Sequence, residues 1–317
     1  MFTNSDAYPY APGLTIVIPV YNREKELKRC LDSIAEQTIF GVPEEERIPI
    51  SVAVVDDGST DGTVKVAEGH PLGVRVIRNR ERNGAAAARN IGMRETMTEW
   101  TMFFDSDDTM EAEHVQKAVE KIGSDVDLIG WDTCLIGLDG KRCRKPFEPA
   151  DIEWHNIMHG TLATQRYMGR TKLFCKAGGW NPKVEIWNDI ELGARLLALK
   201  PRVVKSEGCY VNCYRTAASI TGTTWVQNKD KYRNTLRVLG YSIGEAHPDW
   251  LALKWAILAA DMGREDGSQG REMLNDLKNE EIWGRLTRRG RLAVRLAYRY
   301  RRAGLRGAAR VLRGLIS

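Results

Sequence analysis

Residues 50–63 read ISVAVVDDGSTDGT. A β-branched, almost wholly apolar run of this kind is what a strand buried on both faces requires. The acidic, glycine-punctuated string that ends it has the residue types of a tight turn. A short helical segment, TVKVAEG, follows, and the same unit recurs in both directions. Upstream, TIVIPV (residues 15–20) leads into REKELKRCLDSIAEQ; downstream, VRVIRN leads into AAAARNIGMRETM, and WTMFF leads through an acidic turn into EAEHVQKAVEKI, with VDLIGWD behind it. Strands alternating with helical segments predict an α/β domain built on an open, mostly parallel, Rossmann-like sheet with flanking helices. After Asp132 the pattern loosens into a hairpin around LDGK, a stretch bearing Trp and His, and a helix DIELGARLLALK that Pro201 ends. From about Lys229 the chain reads as wholly helical. The expected division is therefore 1–227 for the α/β domain and 228–317 for a helical C-terminal region.

At 317 residues, 43% hydrophobic and 28% charged, the chain can bury one large core or two smaller ones, which excludes a disordered or low-complexity protein. Its longest apolar stretch, WLALKWAILAA, is interrupted by Lys254 and falls short of the roughly 20 residues of a membrane span. The first residues lack the basic start and apolar centre of a secretory signal, and the six cysteines lack paired CxxC spacing, so the expectation is a cytoplasmic protein with reduced thiols. Its charge of +5 is an average of two unlike parts. Residues 285–317 hold eleven arginines and no acid, whereas the 36 basic and 42 acidic side chains before them come to about −6.

In an open parallel sheet, ligands lie beyond the carboxyl ends of the strands. Those ends are Pro19-Val20-Tyr21-Asn22, Asp56-Asp57-Gly58-Ser59, and Asp105-Ser106-Asp107-Asp108. Three aspartates within four residues repel one another unless a cation sits among them, and hard oxygen ligands suit Mg2+ or Mn2+. An aspartate could instead cap a helix starting near Met110, but a cap needs only one. Asp57 is open to two readings: turn chemistry, or acceptance of a hydrogen bond from a pyrimidine N–H, with Tyr21 stacked on the same ring.

IPVYN, VVDDGSTDGT, the ARNIG of residues 88–92 and FDSDD, in this order and on these strand ends, resemble the family-2 glycosyltransferases of the GT-A fold over roughly residues 14–220. The resemblance implies inverting transfer of a sugar from a nucleotide diphosphate, usually UDP, with Mn2+ or Mg2+ as cofactor. It implies a nucleotide-sugar site made of Pro19, Tyr21, Asp57, Arg89, Asp105, Ser106 and Arg215, in which Asp57 holds uracil and Tyr21 stacks on it. Asp107 and Asp108 would hold the metal. It further implies a general base shortly after a glycine-aromatic segment, and AGGWNPKVEIWNDIEL matches at Gly178, Gly179, Trp180 and Asp189. Two departures stand out. Asn188 precedes Asp189 where many relatives have Glu, and Ala217 replaces the histidine of a YRxHxxS segment at Tyr214–Ser219.

Arg288, Arg291, Arg295, Arg299, Arg302, Arg306, Arg310 and Arg313 recur at three- and four-residue spacing, one stripe on a continuous helix. Such a basic amphipathic tail is expected to lie on an anionic membrane surface, at the cytoplasmic face, where a lipid-linked or glycan acceptor of surface polysaccharide synthesis would be found. Nucleic acid is not an expected partner, because the first 284 residues are acidic. Alternative readings are a sugar-nucleotide nucleotidyltransferase, whose Gly-rich basic loop IPVYNREKE does not supply, and a catalytically impaired nucleotide-sugar-binding protein, which Ala217 keeps open. His155 and His159, four apart in WHNIMHG, lack the Glu of a zinc-protease helix and read as surface or acceptor-loop residues.

Overall fold

The structure, a computed structural model, describes residues 10–215 and 224–316. Two compact units share the chain: residues 1–150, 161–183 and 199–217 form the first, and residues 151–160, 184–198 and 218–317 the second. The division thus does not follow one cut near residue 227. Helices Ile152–His159 and Asn188–Ala198, read in sequence as part of the α/β domain, belong to the helical unit.

The first unit is a mixed, mostly parallel sheet with flanking helices. Among the described residues its nine strands are β1 (Ala11–Val20), β2 (Ile50–Asp56), β3 (Arg75–Arg78), β4 (Thr98–Phe103), β5 (Thr109–Met110), β6 (Leu128–Ile136), β7 (Arg142–Lys145), β8 (Tyr167–Arg170) and β9 (Val203–Tyr214). Their order is β3-β2-β1-β4-β8-β6-β9-β5, with β7 paired to β6 as the hairpin around LDGK. β3, β2, β1 and β4 run parallel, and β6 and β9 do likewise. β8 is antiparallel to both β4 and β6. The apolar runs end in register: Val20 stands opposite Asp56, and Val17 opposite Phe103. Three strand ends therefore reach the same edge of the sheet.

Leu14, Ile16, Val17 and Ile18 are fully buried, as a central strand covered on both faces demands. On one face lies the helix Glu24–Ala35, which buries Leu27, Cys30, Leu31 and Ile34, a helical stripe of three- and four-residue steps. The helix Ala85–Arg94 approaches the sheet more closely because its contact residues are small. A Cβ on Gly92 would come within 2.3 Å of Val17 Cγ1. Met110 starts no helix. It lies in β5, antiparallel to β9, and the next helix is His114–Val119.

The second unit is helical among the described residues. The helix Pro248–Glu265 is buried almost along its length, from Leu251 to Met262, which explains why its sequence is apolar on all sides. Around it pack the helices Lys229–Ile243, Gly267–Asn279 and Arg288–Arg302, with Leu236, Leu239, Met273, Leu277, Ala293 and Ala297 fully buried. The arginine-rich tail is not one continuous helix. Gly304 (φ 84°) and Gly307 (φ 85°) adopt left-handed backbone, and a second helix, Ala308–Ile316, starts after them. The single stripe expected from the spacing is broken there, and Arg313 pairs with Asp151 at 3.0 Å.

Candidate active site

At the edge where β1, β2 and β4 end, the motif residues hold one another. Asn22, in left-handed backbone (φ 49°), donates its N–H to Ser59 Oγ (2.9 Å) and accepts from the Thr60 N–H (2.8 Å). Asp56 accepts from the Ser59 N–H at 3.1 Å. IPVYN and DDGST are thus one locked pair of loops. Asp57 is 3% exposed and accepts three hydrogen bonds from the segment after β3: Asn79 Nδ2 (3.1 Å), Asn83 N–H (3.0 Å) and Gly84 N–H (2.7 Å). A carboxylate offers about four lone-pair directions, so Asp57 anchors this segment while keeping capacity for one more donor. Pro19 is buried near the end of β1, opposite Val55, where its missing N–H costs the ladder little. Tyr21 is half-buried with the Arg82 guanidinium 4.1 Å above its ring.

The second cluster follows β4. Arg89, 5% exposed, donates to Asp105 Oδ1 at 2.5 Å, and its guanidinium lies 4.5 Å from the Trp180 ring centre. Its neighbour Asn90 exchanges two hydrogen bonds with the Trp180 backbone, at 2.7 and 2.8 Å. The ARNIG string therefore fastens the Gly-Gly-Trp segment to the carboxylate turn, and the Arg89 side chain acts through Asp105. Gln165 donates to the other Asp105 oxygen. Asp108, 3% exposed, accepts from the Tyr214 N–H at 3.0 Å, while Arg29 donates to the Asp107 carbonyl oxygen (2.5 Å) and lies 3.9 Å over the Tyr214 ring. Ser106 is buried at 7% exposure. Burial, and then the charge of Asp105, push the Asp107 carboxyl above the ordinary carboxylate range; burial with Asp105 and Asp107 pushes Asp108 well above it. Among the described residues no group of three or more His, Cys, Asp or Glu side chains could hold a metal alone. Asp105 is turned to Arg89 and Gln165, which leaves Asp107 and Asp108 as the carboxylates at this turn.

Arg215 is exposed, its N–H bonded to the Ile136 carbonyl at 2.9 Å. Ala217 lies outside the described residues. Asp189 belongs to the second unit, where it sits in the first turn of the helix Asn188–Ala198 and accepts from the Ile190 N–H at 2.8 Å. Trp187, whose carbonyl accepts from the Glu191 N–H, occupies the position before that turn with φ 56°, so the residue flanking the helix is Trp187 and not Asp189. Of the tryptophans downstream of Asp132, Trp154 and Trp180 are core side chains, 3% and 1% exposed, and Trp187 is half-buried. Gln165, Arg29 and Arg82 stand in no local pattern that singles them out, and each acts on a partner far along the chain. Lys254 is marked in sequence only as the charge that interrupts an apolar run, and its partner, the Met158 carbonyl, is as distant.

The chain matches the model of glycosyl transferase family 2 over residues 15–178. An uncharacterized glycosyltransferase of Haemophilus influenzae is 28% identical over 229 residues, 69% of this chain and 75% of that protein. The succinoglycan biosynthesis protein ExoO of Rhizobium meliloti is 29% identical over 151 residues, 47% of this chain and 41% of its own length. The crystal structure of S. aureus TarS 1-349 in complex with UDP-GlcNAc superposes with a TM-score of 0.65 at 19% identity, covering 95% of this chain and 92% of that one, a likeness of fold. With the family model spanning more than half of the chain, and with its matched segment containing the interlocked strand ends described above, the protein belongs to glycosyl transferase family 2.

Proposed function

We propose that this glycosyltransferase moves a sugar from a UDP-sugar, with inversion at the anomeric carbon, to a glycan or lipid-linked acceptor in surface polysaccharide synthesis. The observation that carries the reading is the meeting of Tyr21, buried Asp57 and the Asp105–Asp108 turn at one edge of the sheet. In this reading the uracil stacks on Tyr21 and donates its ring N–H to Asp57. Pro19 and Ser106 shape the pocket, Arg89 holds Asp105 toward the ribose, and Arg215 meets the diphosphate.

The donor set at Asp107 and Asp108 fits a hard divalent cation, Mn2+ or Mg2+. Both carboxyls are crowded by burial and by neighbouring negative charge, which a cation would relieve. Magnesium in particular is commonly held by one or two carboxylates plus phosphate oxygens and water. When bound, the ion would neutralise charge on the departing diphosphate. Asp189 takes the acceptor hydroxyl's proton.

Among the described residues no helix is long and apolar enough to cross a membrane. Exposed Leu292 (48%) and Leu296 (39%) share a face of the helix Arg288–Arg302 with Arg288, Arg295 and Arg299, a surface suited to peripheral attachment at the anionic cytoplasmic leaflet. Thermal melts against a panel of nucleotide sugars, with and without Mn2+, test the donor assignment. A ligand at 100 times its Kd adds about 2.7 kcal/mol, so UDP-sugars should raise Tm and other nucleotide sugars should not. Equal shifts from all nucleotides, or none from UDP-sugars, would overturn it.

A further inference from the structure

The helical unit contains a cavity of about 340 Å³ whose lining includes Trp187, Trp225, His159, Lys254, Asp261 and Arg301. Its volume is in the range of small-molecule sites, toward the lower end. The walls have an uncommon construction. Trp187 is a bulky side chain in left-handed backbone (φ 56°), a conformation that persists only where surrounding structure enforces it. Its ring is fixed edge-on to Tyr232, with centroids 4.7 Å apart, and Trp225 packs on the same tyrosine at 5.2 Å. Lys254 Nζ lies 4.1 Å from the Trp187 ring centre and donates to the Met158 carbonyl at 3.0 Å, although Lys254 is only 8% exposed. An ammonium has three donors, and Met158 takes one.

The other charges at this cavity are matched. Asp261 and Arg301 form a two-point pair, at 2.7 and 3.2 Å. Lys254 has no such carboxylate clasped to it. Asp189, two residues from Trp187, is the acidic group that acts on it electrostatically. A desolvated cation over the Trp187 ring, in a cavity that Trp225 also lines, with a paired Asp–Arg at the same wall for hydroxyl contacts, complements a ring whose one side is apolar C–H and which also carries an anionic group.

We propose that this cavity is an acceptor subsite for an anionic sugar, with the pyranose against Trp187 and Trp225 and its phosphate or carboxylate on Lys254. The inference rests on the glycosyl-transfer reading and adds the acceptor's chemical class. Its closeness to Asp189 is then purposeful: the subsite would present an acceptor to the residue proposed to take its proton.

The test uses the full chain saturated with UDP, so that the donor site is filled, and ligand-observed NMR with glucose 6-phosphate, glucuronate and methyl glucoside as probes. Either or both anionic sugars should bind on the order of tenfold more tightly than methyl glucoside, the scale of one charged hydrogen bond. Binding of glucose 6-phosphate alone assigns the anion as phosphate, and of glucuronate alone as carboxylate. Lys254→Met should abolish the preference and Lys254→Arg should retain part of it, with helical circular dichroism confirming that both variants fold. Trp187→Leu should weaken all three sugars together. Equal binding of the neutral sugar, an unchanged preference in Lys254→Met, or no binding of any probe while UDP still binds would overturn the subsite alone. Failure of the wild-type protein to bind UDP-sugars would instead overturn the functional reading beneath it.

Discussion

The sheet edge of the first unit and the cavity of the second handle charge in opposite ways. At the sheet edge negative charge is concentrated, and three of its carboxylates are held by donors from neighbouring motifs: Asp57 by Asn79, Asn83 and Gly84, Asp105 by Arg89 and Gln165, and Asp108 by Tyr214. In the helical unit the desolvated Lys254 ammonium lies over the Trp187 ring. In the proposed reading the acidic edge receives a cation and a diphosphate, whereas the buried cation receives an anion. Donor chemistry and acceptor chemistry would then be separate, and the substitutions below probe each side of that division.

The largest effect is expected from Asp189→Asn. Removing a general base should lower transfer by about 10²- to 10⁴-fold, while UDP affinity stays near the parent value because the nucleotide residues lie in the other unit. Steady-state transfer assays beside UDP titration measure the split. A variant that transfers at the parent rate would assign the base elsewhere. Next comes Asp107→Asn, which removes one hard anionic ligand. UDP affinity measured in Mn2+ should fall by about 10- to 100-fold, to the value that the parent shows in EDTA. Parent-like binding in both solutions would remove the metal from Asp107.

The two regions also differ in how far they can be read from sequence. β1, β2 and β4 declare themselves because a strand buried on both faces needs a continuous apolar run, and the turn residues that follow are specified locally by Gly and Asp. The insertion of antiparallel β8 between β4 and β6 does not, since Trp100 pairs with Arg170 across seventy residues of chain. Gln165, which holds Asp105, lies in that same irregular stretch. Asp189 is singled out only by its resemblance to a family pattern, and its helix lies in the second unit and not in the α/β domain, because a helix's sequence shows that it has an apolar face and not which core that face joins. The arginine spacing implied one stripe, but Gly304 and Gly307 interrupt it.

Lys254 supplies a third, smaller test. Burial pushes its ammonium down to about 8 from an ordinary 10.5, with Asp189 opposing the shift. Below about pH 8 both the folded and the unfolded chain carry the proton, and the folded state bears the full cost of the desolvated charge. Between the two values the unfolded chain holds more protons, so stability rises with pH through that window and levels off above it. Lys254→Met should therefore melt a few degrees higher than the parent at pH 7, and the advantage should shrink toward pH 10. An unchanged pH slope in the variant would show that the ammonium is already well solvated.

The smallest effect belongs to the surface of the helix Arg288–Arg302. Deleting the tail is a poor probe, because Ala293, Val294 and Ala297 of this helix are essentially fully buried and Thr287 is bonded to Asp249 at 2.7 Å, so truncation would strip the helical core as well. Arg295 is exposed and lies beside exposed Leu292 and Leu296. If this face rests on an anionic leaflet, Arg295→Gln should cost about 1 kcal/mol of binding, roughly fivefold, in sedimentation with acidic liposomes. Leu292→Ser should weaken binding through lost apolar contact, and its loss should depend less on salt. Between 0.1 M and 1 M salt the Debye length falls from about 10 Å to about 3 Å, so the arginine contribution should vanish at the upper end while the leucine contribution persists. Equal sedimentation with neutral liposomes, or an Arg295→Gln variant that pellets like the parent at low salt, would assign this face to a protein partner instead of a lipid surface.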